Sequence, residues 1–87
     1  MNLHRMFLYD PGHAWLQVPK SDLEKYDVRS ISNYSYQDKD FAYLEEDCDA
    51  PRYFKALAER NIRLEVSEIE DKIGIRDLPT FKGRSRA

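Results

Sequence analysis

Asp49-Ala50-Pro51-Arg52-Tyr53-Phe54-Lys55-Ala56-Leu57-Ala58-Glu59-Arg60-Asn61, followed directly by Ile62-Arg63-Leu64-Glu65-Val66-Ser67, is the stretch that sets the fold class. Asp49 suits a helix N-cap, and Pro51 falls in the first turn, where its missing N–H costs nothing. Phe54, Leu57 and Ala58 recur at helical spacing as an apolar stripe, and Asn61 can close the helix in a left-handed conformation. The period then changes from helical to two. Ile62, Leu64 and Val66 alternate with Arg63, Glu65 and Ser67, the pattern of a half-buried strand.

Upstream of that helix lie two hairpins. Residues 4–9 read as a strand with Met6 and Leu8 on one side and Phe7 and Tyr9 on the other. Asp10-Pro11-Gly12-His13 is a turn, since Pro presets φ and Gly supplies positive φ. Residues 14–18 return with Leu16 and Val18 opposite Trp15 and Gln17, and Pro19 ends the strand. Ser21-Asp22-Leu23-Glu24 matches a capping box and opens a short helix to about Asp27. Residues 31–37 and 41–45 form the second hairpin around Asp38-Lys39-Asp40. There Tyr34, Tyr36, Phe41 and Tyr43 alternate, so the four can meet as one cross-strand cluster.

After Asp71 the pattern weakens. Ile73, Ile75, Leu78 and Phe81 read as an irregular arm, and residues 82–87 as a frayed basic tail. The expectation is a single α+β domain over residues 1–81, in the order ββαββαβ. Its sheet is small and mainly antiparallel, of four or five strands, with two helices on one face and the other face open.

Composition bounds the function. The chain has 87 residues, 41% hydrophobic and 34% charged, enough for one core but not two. A formal charge of −2 gives no global argument for nucleic acid or an anionic membrane. Cys48 is the only cysteine, which excludes an internal disulfide and fits a reduced, cytoplasmic setting. No apolar run approaches the ~20 residues that span a bilayer, so no membrane association is expected. The amino terminus lacks the pattern of a signal peptide. Three glycines, at 12, 74 and 83, are too few for a phosphate-cradling loop. Neither C-x-x-C nor H-E-x-x-H occurs, so no zinc site or cofactor is expected.

Residues 38–49 are the most polarised part of the chain. Asp38, Asp40, Glu45, Glu46, Asp47 and Asp49 face the single Lys39, a local charge of −5. Glu45, Glu46, Asp47 and Asp49, with Asp10, have the oxygen chemistry of a hard-cation site. Acids also gather at a helix amino end because its dipole favours negative charge. A docking patch for a basic partner is the third reading, and it ranks above the metal. His13, oriented by Asp10, has the chemistry of a general base, and Cys48 that of a nucleophile, although its acidic neighbours raise a thiol pKa. The aromatics Tyr9, Trp15, Tyr34, Tyr36, Phe41 and Tyr43 suit base stacking, but acids rather than Lys or Arg surround them, so nucleic acid is disfavoured.

Asp10-Pro11-Gly12-His13-Ala14-Trp15-Leu16, Val18-Pro19, Tyr34-Ser35-Tyr36 and Tyr43-Leu44-Glu45-Glu46-Asp47-Cys48-Asp49 resemble phrases in short proteins carried by bacteria and their phages or plasmids. The resemblance covers residues 9–50. It implies a setting in which small mobile-element proteins modulate host machinery or blunt host defence, and it supplies no functional residue.

The expectation is therefore a non-enzymatic accessory protein that binds a host or defence-system protein; an open sheet edge, which invites pairing, also allows a homodimer without requiring one. The expected contact residues are Tyr34, Tyr36, Asp38, Asp40, Tyr43, Glu45, Glu46, Asp47 and Asp49. The rival readings are a small enzyme or metal site on Asp10, His13 and the acids at 45–49, and a single-strand binder using the tyrosine-rich face.

Overall fold

The computed structural model describes residues 2–82. Its elements are β1 (Asn2–Tyr9), β2 (Ala14–Pro19), α1 (Lys20–Lys25), β3 (Tyr36–Gln37), β4 (Phe41–Glu45), α2 (Ala50–Glu59) and β5 (Arg63–Glu70), followed by a 3₁₀ turn at Ile75–Asp77. The fold is α+β, a five-stranded sheet in the order β3-β4-β2-β1-β5. β1 pairs antiparallel with β2, β2 with β4, and β4 with β3. β5 joins β1 in parallel. The parallel pair follows from α2. β4 and β1 run the same way because each is antiparallel to β2, and a helical crossover lets the strand after it keep that direction.

The helices share one face of the sheet. Leu16 and Val18 of β2, and Ala42 and Leu44 of β4, pack there with Leu23 of α1 and Tyr53, Ala56 and Leu57 of α2. The buried stripe of α2 is therefore Ala50, Tyr53, Ala56 and Leu57, with Phe54 at its margin; Ala58, expected in it, is exposed. Asn61 closes the helix with φ 58°, as its sequence position suggests.

The opposite face is not open. Leu8, Trp15 and Tyr43 form a second cluster with Ile75 and Leu78, which belong to the arm after β5. Asp71 starts that arm, its carboxylate accepting the N–H groups of Ile73, Gly74 and Ile75. Gly74 takes φ 82°, which a side chain would strain. The arm then bonds the β3 edge, where Gln37 N–H donates to the Pro79 carbonyl. Beyond it, Phe81 packs into the helix-side core.

Four local expectations are not met. β3 keeps only Tyr36–Gln37 of the expected strand at 31–37, because Ser32 and Ser35 bond Asp49 instead of a ladder. The capping box does not form. α1 begins at Lys20, directly after Pro19, with no side-chain cap, and it ends at Lys25, short of Asp27. Asp49 precedes α2 but likewise makes no side-chain cap bond. β5 is the sheet edge and only Leu64 of its side chains is half-buried; Val66 is exposed. The segment 83–87 of the expected tail lies outside the described residues.

Candidate functional site

Two turns meet at one end of the sheet. The first joins β1 to β2. Asp10 Oδ1 accepts the N–H groups of Gly12 and His13 at 2.9 Å each, and Arg76 Nε donates to Asp10 Oδ2 at 2.6 Å. The Arg76 bond, helped by those two backbone N–H groups, holds the Asp10 carboxyl well below the usual carboxylate range. Arg76 also lies over the Trp15 ring, 5.2 Å from its centre. Asp10 thus orients the His13 backbone rather than its imidazole, contrary to the sequence-based expectation.

The second turn joins β4 to α2. Antiparallel pairing sets Glu45 opposite Trp15, and Glu46 N–H extends the ladder to the Ala14 carbonyl. The same register carries the His13 ring to Glu45, with Nδ1 3.3 Å from Oε2. Glu45 is buried, and its Oε1 accepts the N–H groups of Asp47 and Cys48 at 2.8 and 2.9 Å. Ligand atoms of His13, Glu45 and Glu46 all lie within 4.8 Å of one another. The sole tryptophan, Trp15, has its ring centre 6.0 Å from that of His13. Its Nε1 is buried without a hydrogen-bond partner, a donor that ordinarily costs about 1–3 kcal/mol to leave unmade.

The expected hard-cation set does not assemble as proposed. Asp10 is held by Arg76, and the Asp49 carboxylate, 1% exposed, turns to the loop before β3. It accepts Ser32 N–H at 3.1 Å, Ser32 Oγ–H at 2.7 Å and the Ser35 hydroxyl. Ser35 Oγ in turn accepts Glu45 N–H at 2.9 Å. Asp49 therefore fastens that loop to the β4–α2 turn.

The nine expected contact residues separate by burial. Tyr34, Asp40, Glu46 and Asp47 are exposed, Tyr36 and Asp38 half-buried, and Tyr43, Glu45 and Asp49 buried. Tyr34 is 66% exposed and stands outside the aromatic cluster, where Tyr36 meets Trp15 edge-on. Tyr43 donates to Asp38 Oδ2 at 2.6 Å, and burial with that bond pushes its hydroxyl up to about 12. Burial opposes ionisation of Asp38, but bonds from Tyr43 and from Phe41 and Asp40 N–H hold its carboxyl low. Asp40 lies in the turn before β4, so the acids at 38–40 and 45–49 occupy opposite ends of that strand. Trp15 and Tyr43 are 2% and 1% exposed, and no base stacks on them without displacing the arm. Arg76, Ser32 and Ser35 complete this region and were not anticipated; no local pattern marks them.

Cys48 is exposed, yet partial desolvation, its bond to Glu45 and the charges of Glu45, Asp49 and Asp47 push its thiol up. Because the thiolate is the nucleophile, Cys48 should alkylate with iodoacetamide at pH 7 at least about threefold more slowly than a free small thiol. An equal or faster rate would show that the acids do not govern this thiol.

Among the described residues no helix is long and apolar enough to cross a membrane. Comparison with protein-family models, curated proteins and solved structures finds nothing that matches this chain.

Proposed function

We propose that this chain is a small cytoplasmic accessory protein of a mobile element that acts by binding another protein, a component of a host or defence complex. The observation that carries the reading is the Asp49 anchor. Its buried carboxylate holds the Ser32–Ser35 loop against the β4–α2 turn, so the exposed Tyr34 ring and the exposed Glu46 and Asp47 carboxylates project from one end of the sheet. None of these three side chains forms a hydrogen bond or ion pair among the described residues. An ordered tyrosine beside free carboxylates has the composition of a contact surface for a basic partner. The free edge of β5 carries Glu65, Glu68 and Glu70 against Arg63, so the strand a second copy would have to pair with is net negative. We take the partner to be a different protein.

The test compares tagged wild type with Glu46→Lys/Asp47→Lys and with Tyr34→Ala as bait in lysate of the cells that make the protein. The expected result is a stoichiometric partner that salt weakens and that each variant loses by about tenfold, a loss of 1.4 kcal/mol. Circular dichroism and thermal unfolding should be unchanged, since all three positions are exposed. Equal recovery by wild type and both variants would remove this surface from the proposal.

A further inference from the structure

We infer that His13, Glu45 and Glu46 form a binding site for a divalent transition-metal ion, of the Zn²⁺, Co²⁺ or Ni²⁺ class. An imidazole nitrogen and two carboxylates converge there, with ligand atoms within 4.8 Å of one another. Bonds of about 2.0–2.2 Å around one ion require the donors to close to roughly 3–3.5 Å. The His13 and Glu45 atoms already stand 3.3 Å apart, and Glu46 is an exposed side chain free to rotate.

The donor set selects the metal. Ca²⁺ and Mg²⁺ favour oxygen ligands alone, whereas imidazole with carboxylate suits borderline ions of the first transition row. Glu45 is also supported as a ligand should be. The Asp47 and Cys48 N–H groups fix its Oε1, and the Ser35 hydroxyl fixes its backbone, leaving Oε2 turned to His13. Arg76, which lies over the Trp15 ring, is engaged by Asp10 rather than by either glutamate. Three protein ligands leave positions for water, so the site is open to a further ligand. The inference is independent of the partner surface and shares only Glu46 with it.

Trp15 supplies the readout, since Ni²⁺ and Co²⁺ quench a nearby indole and Trp15 is the only one in the chain. The full chain, carrying Cys48→Ser to exclude thiol chelation, is titrated with Ni²⁺ and then with Zn²⁺ as competitor, with calorimetry for stoichiometry. The expected result is saturable 1:1 binding that Zn²⁺ displaces and Mg²⁺ at the same concentration does not. His13→Ala and Glu46→Ala alter exposed side chains and should each weaken binding by about tenfold or more, with circular dichroism unchanged. His4→Ala, at the other histidine, should leave it intact. Non-saturating quenching, undiminished binding in His13→Ala, or loss in His4→Ala would each overturn the assignment.

Discussion

Asp49→Ala is expected to destabilise the protein by about 3–4 kcal/mol, lowering Tm by about 15 °C or more. The carboxylate is 1% exposed and accepts bonds from Ser32 N–H, Ser32 Oγ–H and Ser35 Oγ–H. Hydrogen bonds to a charged acceptor contribute about 1.5–3 kcal/mol each, and their removal leaves the fully buried Ser35 hydroxyl without its acceptor. The Arg52 guanidinium, 4.0 Å away and half-exposed, turns to water and recovers little of the loss. Asp49→Asn should fall between, because one carbonyl oxygen remains but the amide presents N–H groups to the serine donors. Urea unfolding with an unchanged m-value would measure the difference. A Tm within about 3 °C of wild type would mean that the loop is held by other contacts. The substitution also separates stability from function. Below its lowered Tm the variant keeps Glu46 and Asp47 but frees Tyr34, so partner recovery should fall as it does for Tyr34→Ala.

The parts of this structure that were legible in the sequence are those whose causes lie within one turn or one strand. Pro51 and Asn61 bracket α2 through their own backbone preferences, and the β1–β2 turn falls where Asp10-Pro11-Gly12 places it, although Gly12 does not take the positive φ expected of it and the Asp10 carboxylate closes the turn instead. The element order ββαββαβ and the two-sided patterning of β1 and β2 follow from local pattern, whereas the spatial strand order does not. What was not legible depends on partners far along the chain. Ser21 and Glu24 have the form of a capping box, but Pro19 starts the helix earlier and Asp22 turns inward. Residues 31–35 have strand character, yet Asp49 lies 14 to 17 positions away and claims their polar groups. The acids at 45–49 were visible as a cluster, but not that Glu45 and Asp49 are buried while Glu46 and Asp47 face solvent. Arg76 is 66 positions from Asp10, and only the path of the arm across the sheet joins them. A charge run in sequence gives the number of acids; their separate duties are set by tertiary contacts.

Asp22 is where the second large effect is expected. It is buried in α1 and accepts Arg5 Nη2 at 2.7 Å and the Tyr53 hydroxyl at 2.6 Å, while Arg5 Nε donates to that same hydroxyl at 3.2 Å. One carboxylate thus ties α1 to β1 and α2. Burial, then the Asp22 bond, raises the Tyr53 hydroxyl far above its ordinary value, so it remains a donor at any ordinary pH. α1 has six residues and no side-chain cap, too short to be stable without tertiary contacts. Asp22→Ala should therefore cost about 3–5 kcal/mol, because it strands a mostly buried Arg5 and a buried phenol together. Tyr53→Phe removes one donor and leaves the ion pair, and about 1–1.5 kcal/mol is expected. The two readings of that centre diverge in the combined variant Arg5→Met/Asp22→Leu/Tyr53→Phe. If the network's worth lies mainly in satisfying its own buried groups, apolar replacement of all three recovers most of the stability lost in Asp22→Ala. If it also fixes the position of α1, stability returns but α1 loses its protection from amide hydrogen exchange. The second outcome is expected, because Leu23 and Tyr26 are the apolar contacts left to hold so short a helix and neither is directional.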